Sequence, residues 1–185
     1  MEQKKRLFIG TFLKTKELLE EYPKLRKEFE GAIWGKWVEE WNLHFTYHFL
    51  GEVDTRILEP LFKSISPHLQ EYQNEIKLKG LGCFPSIRSP RVLFVNIVDQ
   101  NSLLKEIHQN LANALKNFDV ELDEREYHPH LTLLRIKSFK LDLFQKAMRK
   151  YQNFDFGSVS NFRVELIESK LTHEGPKYTP ITNLS

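Results

Sequence analysis

Along this chain the apolar positions switch repeatedly between a period of two and a period of three to four, the signature of strands alternating with amphipathic helices. Residues 6–13 form a short, nearly continuous apolar run and predict a buried strand. The charged stretch over 15–29 predicts a helix, which Pro23 should kink or divide because proline lacks the amide proton and crowds the preceding turn. The Trp34-Gly35-Lys36-Trp37-Val38 segment leads into a strand with Leu43, Phe45, Tyr47 and Phe49 on one face and His44, Thr46 and His48 on the other, closed by Gly51. Leu58, Leu61, Phe62, Ile65 and Leu69 fall at the spacing of one helical stripe.

Strands are expected near 75–81 and 92–98, separated by a turn region at Gly80-Leu81-Gly82-Cys83-Phe84-Pro85. Leu104, Ile107, Leu111, Ala114, Leu115 and Phe118 define a second strong helix, with Asn101 or Ser102 as its cap. A strand beginning near His130 comes next, then a helix over 141–151 that aligns Phe144, Ala147, Met148 and Tyr151. Strands near 162–171 and 178–181 end the pattern. The alternation predicts an α+β protein: a single domain over 1–185 with two pseudo-equivalent lobes facing each other across a cleft.

Composition narrows the function. The chain has 185 residues, 41% of them hydrophobic, enough for an ordinary interior, and its longest apolar runs are strand-sized. None approaches the ~18 residues of a membrane span, and the apolar run after Lys4, Lys5 and Arg6 is short for a secretory signal, so a cytoplasmic protein is expected. Net charge is +2, from 27 basic and 25 acidic residues, which excludes the strongly basic surface of a nonspecific duplex binder. Acidic residues cluster at 17–21 and 121–126, leaving pairs such as Arg88/Arg91 and Arg135/Lys137 to line a groove. The lone Cys83 excludes an internal disulfide and a cysteine-based zinc site, and reads as a small buried hydrophobe.

The candidate chemistry lies in two short strings, Leu43-His44-Phe45-Thr46 and Pro129-His130-Leu131-Thr132, whose histidines are 86 positions apart. On a strand, His-x-Thr sets an imidazole and a hydroxyl side by side on one face. One copy carries little weight, since strand histidines are usually structural and threonine is an ordinary strand former. Two copies after comparable elements suggest one symmetric site. Paired imidazoles allow one to protonate a leaving oxygen while the other takes a proton from water, and the hydroxyls can donate to phosphoryl oxygens. The set describes in-line displacement at phosphorus.

A rival arrangement would gather His44, His48, His128 and His130 on a zinc or copper ion. Strand rise, however, puts His44 and His48 ~13 Å apart. His108 beside Ile107, His68 after Pro67 and His173 in a polar turn read as surface residues. His48 and His128 are expected to line the cleft beside the reacting pair.

These residues resemble the 2H phosphoesterases, specifically the RNA 2′,3′-cyclic phosphodiesterase branch, also called 2′-5′ RNA ligase. The likeness rests on residues 43–53 and 129–135. It extends to Arg6-Leu7-Phe8-Ile9-Gly10, to Phe84-Pro85 with Pro90-Arg91-Val92-Leu93-Phe94-Val95, and to Glu168-Ser169-Lys170-Leu171 with Gly175-Pro176-Lys177-Tyr178.

The resemblance implies a bilobal fold of antiparallel sheet with outer helices around a central cleft. It implies metal-independent, cofactor-free hydrolysis of RNA 2′,3′-cyclic phosphate ends to 2′-phosphates, with reverse 2′-5′ ligation, and a protein expected to be monomeric. It also implies His44 as proton donor, His130 as proton acceptor, and Thr46, Thr132 and Arg135 as phosphate-binding residues.

Two features depart from that pattern. His48 stands where the family carries lysine. Arg135, five residues after His130, falls on the opposite strand face by strict alternation and needs a bulge, a strand end or its long side chain to reach phosphate. The competing readings are a non-catalytic RNA or nucleotide binder, in which Trp34, Trp37, Phe84 and Tyr127 stack on bases in the same cleft, and a metal-dependent hydrolase.

Overall fold

The structure is a computed structural model describing residues 3–184. In chain order its elements are β1 (Lys4–Phe12), α1 (Lys16–Glu28), β2 (Ile33–Trp37), β3 (His44–Asp54), α2 (Thr55–Ile65), β4 (Glu71–Tyr72), β5 (Ile76–Ser86), β6 (Ser89–Val98), α3 (Leu103–Leu115), β7 (His130–Phe139), α4 (Leu141–Lys150), β8 (Asp155–Val159), β9 (Phe162–Arg163), β10 (Glu165–Thr172) and β11 (Gly175–Pro180). Local chemistry explains the helix starts. The Thr15 hydroxyl accepts from the Leu18 amide at 3.1 Å, and the Asp54 carboxylate accepts from the Arg56 amide at 2.8 Å.

Three local expectations are corrected. Helix α1 is not divided at Pro23, its buried stripe of Leu18, Tyr22 and Leu25 holding it against the core. Neither Asn101 nor Ser102 caps α3 with its side chain. The Asp99 carboxylate accepts from the Leu104 amide at 2.7 Å, while Ser102 sits at φ 56°. The Gly80-to-Pro85 segment is no turn: β5 passes through it and pairs with β6 down to Ser86 and Ser89, with a register shift between Leu78 and Leu81 that absorbs Gly80.

Pairing is antiparallel throughout: the main sheet runs β11-β10-β1-β3-β7-β6-β5-β8 with β2 added to β7, and β4 pairs with β9 in a small second sheet. The two motif strands meet at the centre, where Phe45 faces Leu131. That pair joins two four-strand halves, β11-β10-β1-β3 and β7-β6-β5-β8, which are the expected lobes. Past it the strands part, and β2 takes over the edge of β7 from Leu134 to Phe139.

The apolar stripes of α1, α2, α3 and α4 join Phe45, Tyr47, Leu131 and Leu133 in a common core. Helices therefore cover one side of the sheet, and the residues between those core positions turn to the open side. No helix among the described residues is long and apolar enough to cross a membrane.

Candidate active site

Both motif strands depart from strict alternation at the same place. Against β1, His48 pairs with Ile9 and Thr46 with Gly10, so Tyr47 is the extra residue. Against β6, Leu134 pairs with Leu93 and Thr132 with Phe94, so Leu133 is extra. Each bulge sends two consecutive side chains to the core, Tyr47 with His48 and Leu133 with Leu134, all buried. The next residue returns to the open side: Phe49 on β3 and Arg135 on β7, both exposed.

Two sequence expectations resolve here in opposite senses. Arg135 does share a face with His130 and Thr132, through the bulge that strict alternation omits. His48 leaves the cleft. It is only 3% exposed, its Nε2–H donates to the His108 carbonyl at 2.8 Å, and its ring stacks on that of His108 at 4.1 Å. The expected apolar face is corrected with it, since Phe49 is 60% exposed.

The two motif histidines are held by the same device. The His44 Nδ1–H donates to the Asn42 carbonyl at 2.6 Å, and the His130 Nδ1–H donates to the His128 carbonyl at 2.7 Å. A carbonyl can only accept, so each bond fixes a proton on Nδ1 and leaves Nε2 as the nitrogen not engaged by the anchor. Aromatic walls hold the rings. His44 lies 4.9 Å from both Phe8 and Tyr178 and 6.3 Å from Phe12, while His130 lies 5.0 Å from both Phe84 and Phe94.

Burial lowers the pKa of His44 below the usual histidine value, opposed by the Asn42 carbonyl and assisted by the charges of Arg135 and His130. Burial also lowers that of His130, opposed by the His128 carbonyl and assisted by His128 and Arg135. Arg135 thus acts electrostatically on both imidazoles, and Thr46 and Thr132 are half-buried beside them. An anion bound there would reverse the depression, because it favours each charged imidazolium.

The two halves are anchored differently. The buried Asn42 side chain donates to the Pro176 carbonyl at 2.8 Å, tying the His44 carbonyl anchor to the hairpin of β10 and β11 that also carries Tyr178. Sequence reasoning missed Asn42 because its partner is 134 positions away. Its one local signal is its place two residues before His44, which His128 repeats before His130.

Other expectations are redistributed. Of the aromatic residues assigned to base stacking in the cleft, Phe84 is there beside His130, and Trp34 lies on the open side of the edge strand β2, farther out. Tyr127 stacks on His108 at 4.2 Å with its hydroxyl buried, and Trp37 packs on Tyr22 behind the sheet. His108, read as a surface residue, lies between His48 and Tyr127. The described residues contain no group of three or more His, Cys, Asp or Glu side chains arranged to hold a metal ion. The four-histidine arrangement in particular fails because His48 points to the other side of the sheet.

A family profile described as an AKAP7 2′5′ RNA ligase-like domain matches residues 8–185. The chain belongs to the 2H phosphoesterases. Within this family, the RNA 2′,3′-cyclic phosphodiesterase of Aquifex aeolicus is 34% identical over 183 residues, 95% of this chain and 94% of the relative. That of Methanocaldococcus jannaschii is 35% identical over 178 residues, 95% and 98% of the two chains. Escherichia coli LigT complexed with 3′-AMP superposes with a TM-score of 0.74 at 23% identity, covering 97% of this chain and 96% of that one, and so shares the fold. TT0787 of Thermus thermophilus does so with a TM-score of 0.73 at 23% identity, covering 95% and 94%. The chain has the bilobal α+β fold that its paired motifs implied.

Proposed function

We propose that this 2H phosphoesterase is an RNA 2′,3′-cyclic phosphodiesterase that converts cyclic ends to 2′-phosphomonoesters without a metal or other cofactor. One observation carries the reading: two imidazoles on adjacent strands, each held at Nδ1 by a carbonyl two residues upstream, share one open face with two threonines and one arginine. The relatives named RNA 2′,3′-cyclic phosphodiesterase, matched over nearly the whole chain, support the substrate class.

In the proposed reaction His130 Nε2 takes a proton from water as its oxygen attacks phosphorus. The bond from phosphorus to the 3′ oxygen breaks in line, and His44 delivers its Nε2 proton to that oxygen. The product keeps phosphate on the 2′ oxygen, and the pair ends with its proton exchanged between sides. Thr46, Thr132 and Arg135 stabilise the charge that grows on the phosphoryl oxygens. Run backwards, with a 5′-hydroxyl in place of water, the same steps join ends through a 2′-5′ linkage. The protein is read as a monomer acting in the cytoplasm.

The test is hydrolysis of an oligoribonucleotide ending in a 2′,3′-cyclic phosphate under excess chelator, with 2′- and 3′-phosphate products resolved. Turnover to the 2′-phosphate alone supports the mechanism and its polarity. A 3′-phosphate product reverses the roles of His44 and His130, loss of turnover in chelator restores the metal reading, and binding without turnover makes the protein a binder.

A further inference from the structure

At the edge of the sheet, the C-terminal end of α1 and the edge strand β2 enclose an open groove of about 410 Å³ lined by Arg26, Lys27, Glu30, Trp34 and Trp37 over Phe29 and Ile33. Its chemistry is aromatic and cationic. Arg26 lies over the rings of Tyr22 and Trp37 at 4.8 and 5.6 Å, with its Nε buried and unpaired, and the Lys140 ammonium stands 5.5 Å from the Trp34 ring. Trp34 remains 45% exposed. Of the nearby carboxylates, Glu28 is paired with Lys150 at 2.5 Å, while Glu30 lines the groove and Glu39 and Glu40 lie near Tyr22 beneath Arg26, against the cations of Arg26, Lys27 and Lys140.

Strand β2 belongs to both faces. Lys36 pairs with Arg135 and so faces the reacting groups, where its ammonium reaches the Gly175 turn: a Cβ added to Gly175 would lie 3.2 Å from it. Trp37, paired with the buried Leu134, turns to the core side, whereas Trp34, two residues before Lys36, shares the face of Lys36 and stands at the rim of the groove. Trp34 and Lys36 therefore link the face of Arg135 to the groove along an edge strand that pairs with β7.

We propose that this groove is an accessory site for single-stranded RNA, holding the nucleotides upstream of the cyclic end with a base on Trp34 and phosphates on Lys27 and Lys140. Basic grooves with exposed aromatic side chains bind single strands in this manner, tracking the backbone by charge and the bases by stacking. The inference rests on the substrate class proposed above and adds a length requirement to it. The cleft alone handles a cyclic mononucleotide, whereas an oligomer also engages the groove and gains affinity.

The experiment measures kcat and KM for a 2′,3′-cyclic mononucleotide and for an oligomer of about ten nucleotides with the same end, long enough for a single-strand site. It compares the unsubstituted protein, Trp34→Ala and Lys27→Glu. The expected result is a lower KM for the oligomer than for the mononucleotide. Each substitution should raise the oligomer KM by about fivefold or more while leaving both constants for the mononucleotide unchanged. Lys27→Glu should also flatten the salt dependence of oligomer binding.

Equal KM values for the two substrates in the unsubstituted protein would overturn the accessory site, as would variants that leave the oligomer KM unmoved. Those results leave the phosphodiesterase reading intact. Failure to hydrolyse either substrate overturns that reading, and the accessory site with it.

Discussion

Strands β3 and β7 are two versions of one design, and their differences separate scaffold from chemistry. From the motif histidine onward both run half-buried, buried, half-buried, buried, buried, exposed, buried, exposed and exposed. The repeated bulge produces this match, because it alone sets two neighbours inward and returns the third to the cleft. Equivalent positions therefore pair His44 with His130, Thr46 with Thr132, His48 with Leu134, and Phe49 with Arg135. The first two pairs share their chemistry. The third differs within the core, and the fourth places a cation at one end of the site and an aromatic ring at the other.

The deepest break in the comparison is removal of either shared imidazole. His44→Ala and His130→Ala should each lower kcat by about 10²- to 10⁴-fold with near-unchanged circular dichroism, since both rings act at the open face. A loss confined to one of them would mean that only one half of the pair transfers protons.

Arg135→Ala and Phe49→Ala test the asymmetric pair. Loss of the guanidinium should cost about 10- to 100-fold in kcat/KM, with a much smaller effect at Phe49. A cation disfavours an imidazolium, so Arg135→Ala should also raise the pKa values of both His44 and His130 and move the pH–rate profile of the coupled pair to higher pH. An unmoved profile would show that Arg135 does not act on the histidines.

The two carbonyl anchors supply a finer contrast. Asn42→Ala removes the bond to Pro176, the tie of the His44 half to the β10–β11 hairpin, and should lower kcat by about 3- to 10-fold. His128→Ala leaves its own carbonyl in place and should change kcat less. Equal effects would remove the hairpin from the account.

The smallest effect concerns stability on the core side. Burial lowers the pKa of His48 and lowers that of His108 to about 4, with His48 adding repulsion to the latter. Below about 6.5 the unfolded chain binds protons that the folded neutral rings refuse, so folding stability should decline as pH falls from about 6.5 toward 4. Thermal melts of His48→Leu, which installs the side chain found at the equivalent Leu134, should lose less stability across that window than the unsubstituted protein. An identical pH dependence would remove His48 as a contributor.

The sequence by itself determined the alternation of strands and helices, the two matched lobes and the shared face of imidazole and hydroxyl in each motif. These follow from local periodicity, because a residue and its second neighbour on a strand point the same way wherever the strand lies. Only the tertiary structure decided where that rule is suspended. Nothing in His44-Phe45-Thr46-Tyr47-His48 reveals that Tyr47 is the extra residue, since a bulge is a property of two paired strands and β1 supplies the second. The same kind of pairing decision brought Arg135 into the cleft, took His48 out of it, and turned Trp37 to the core side of β2 while Trp34 stayed on the side of Lys36. Asn42 and Pro176 became partners for the same kind of reason: which distant groups meet is set by packing of the whole chain, and no local spacing encodes it.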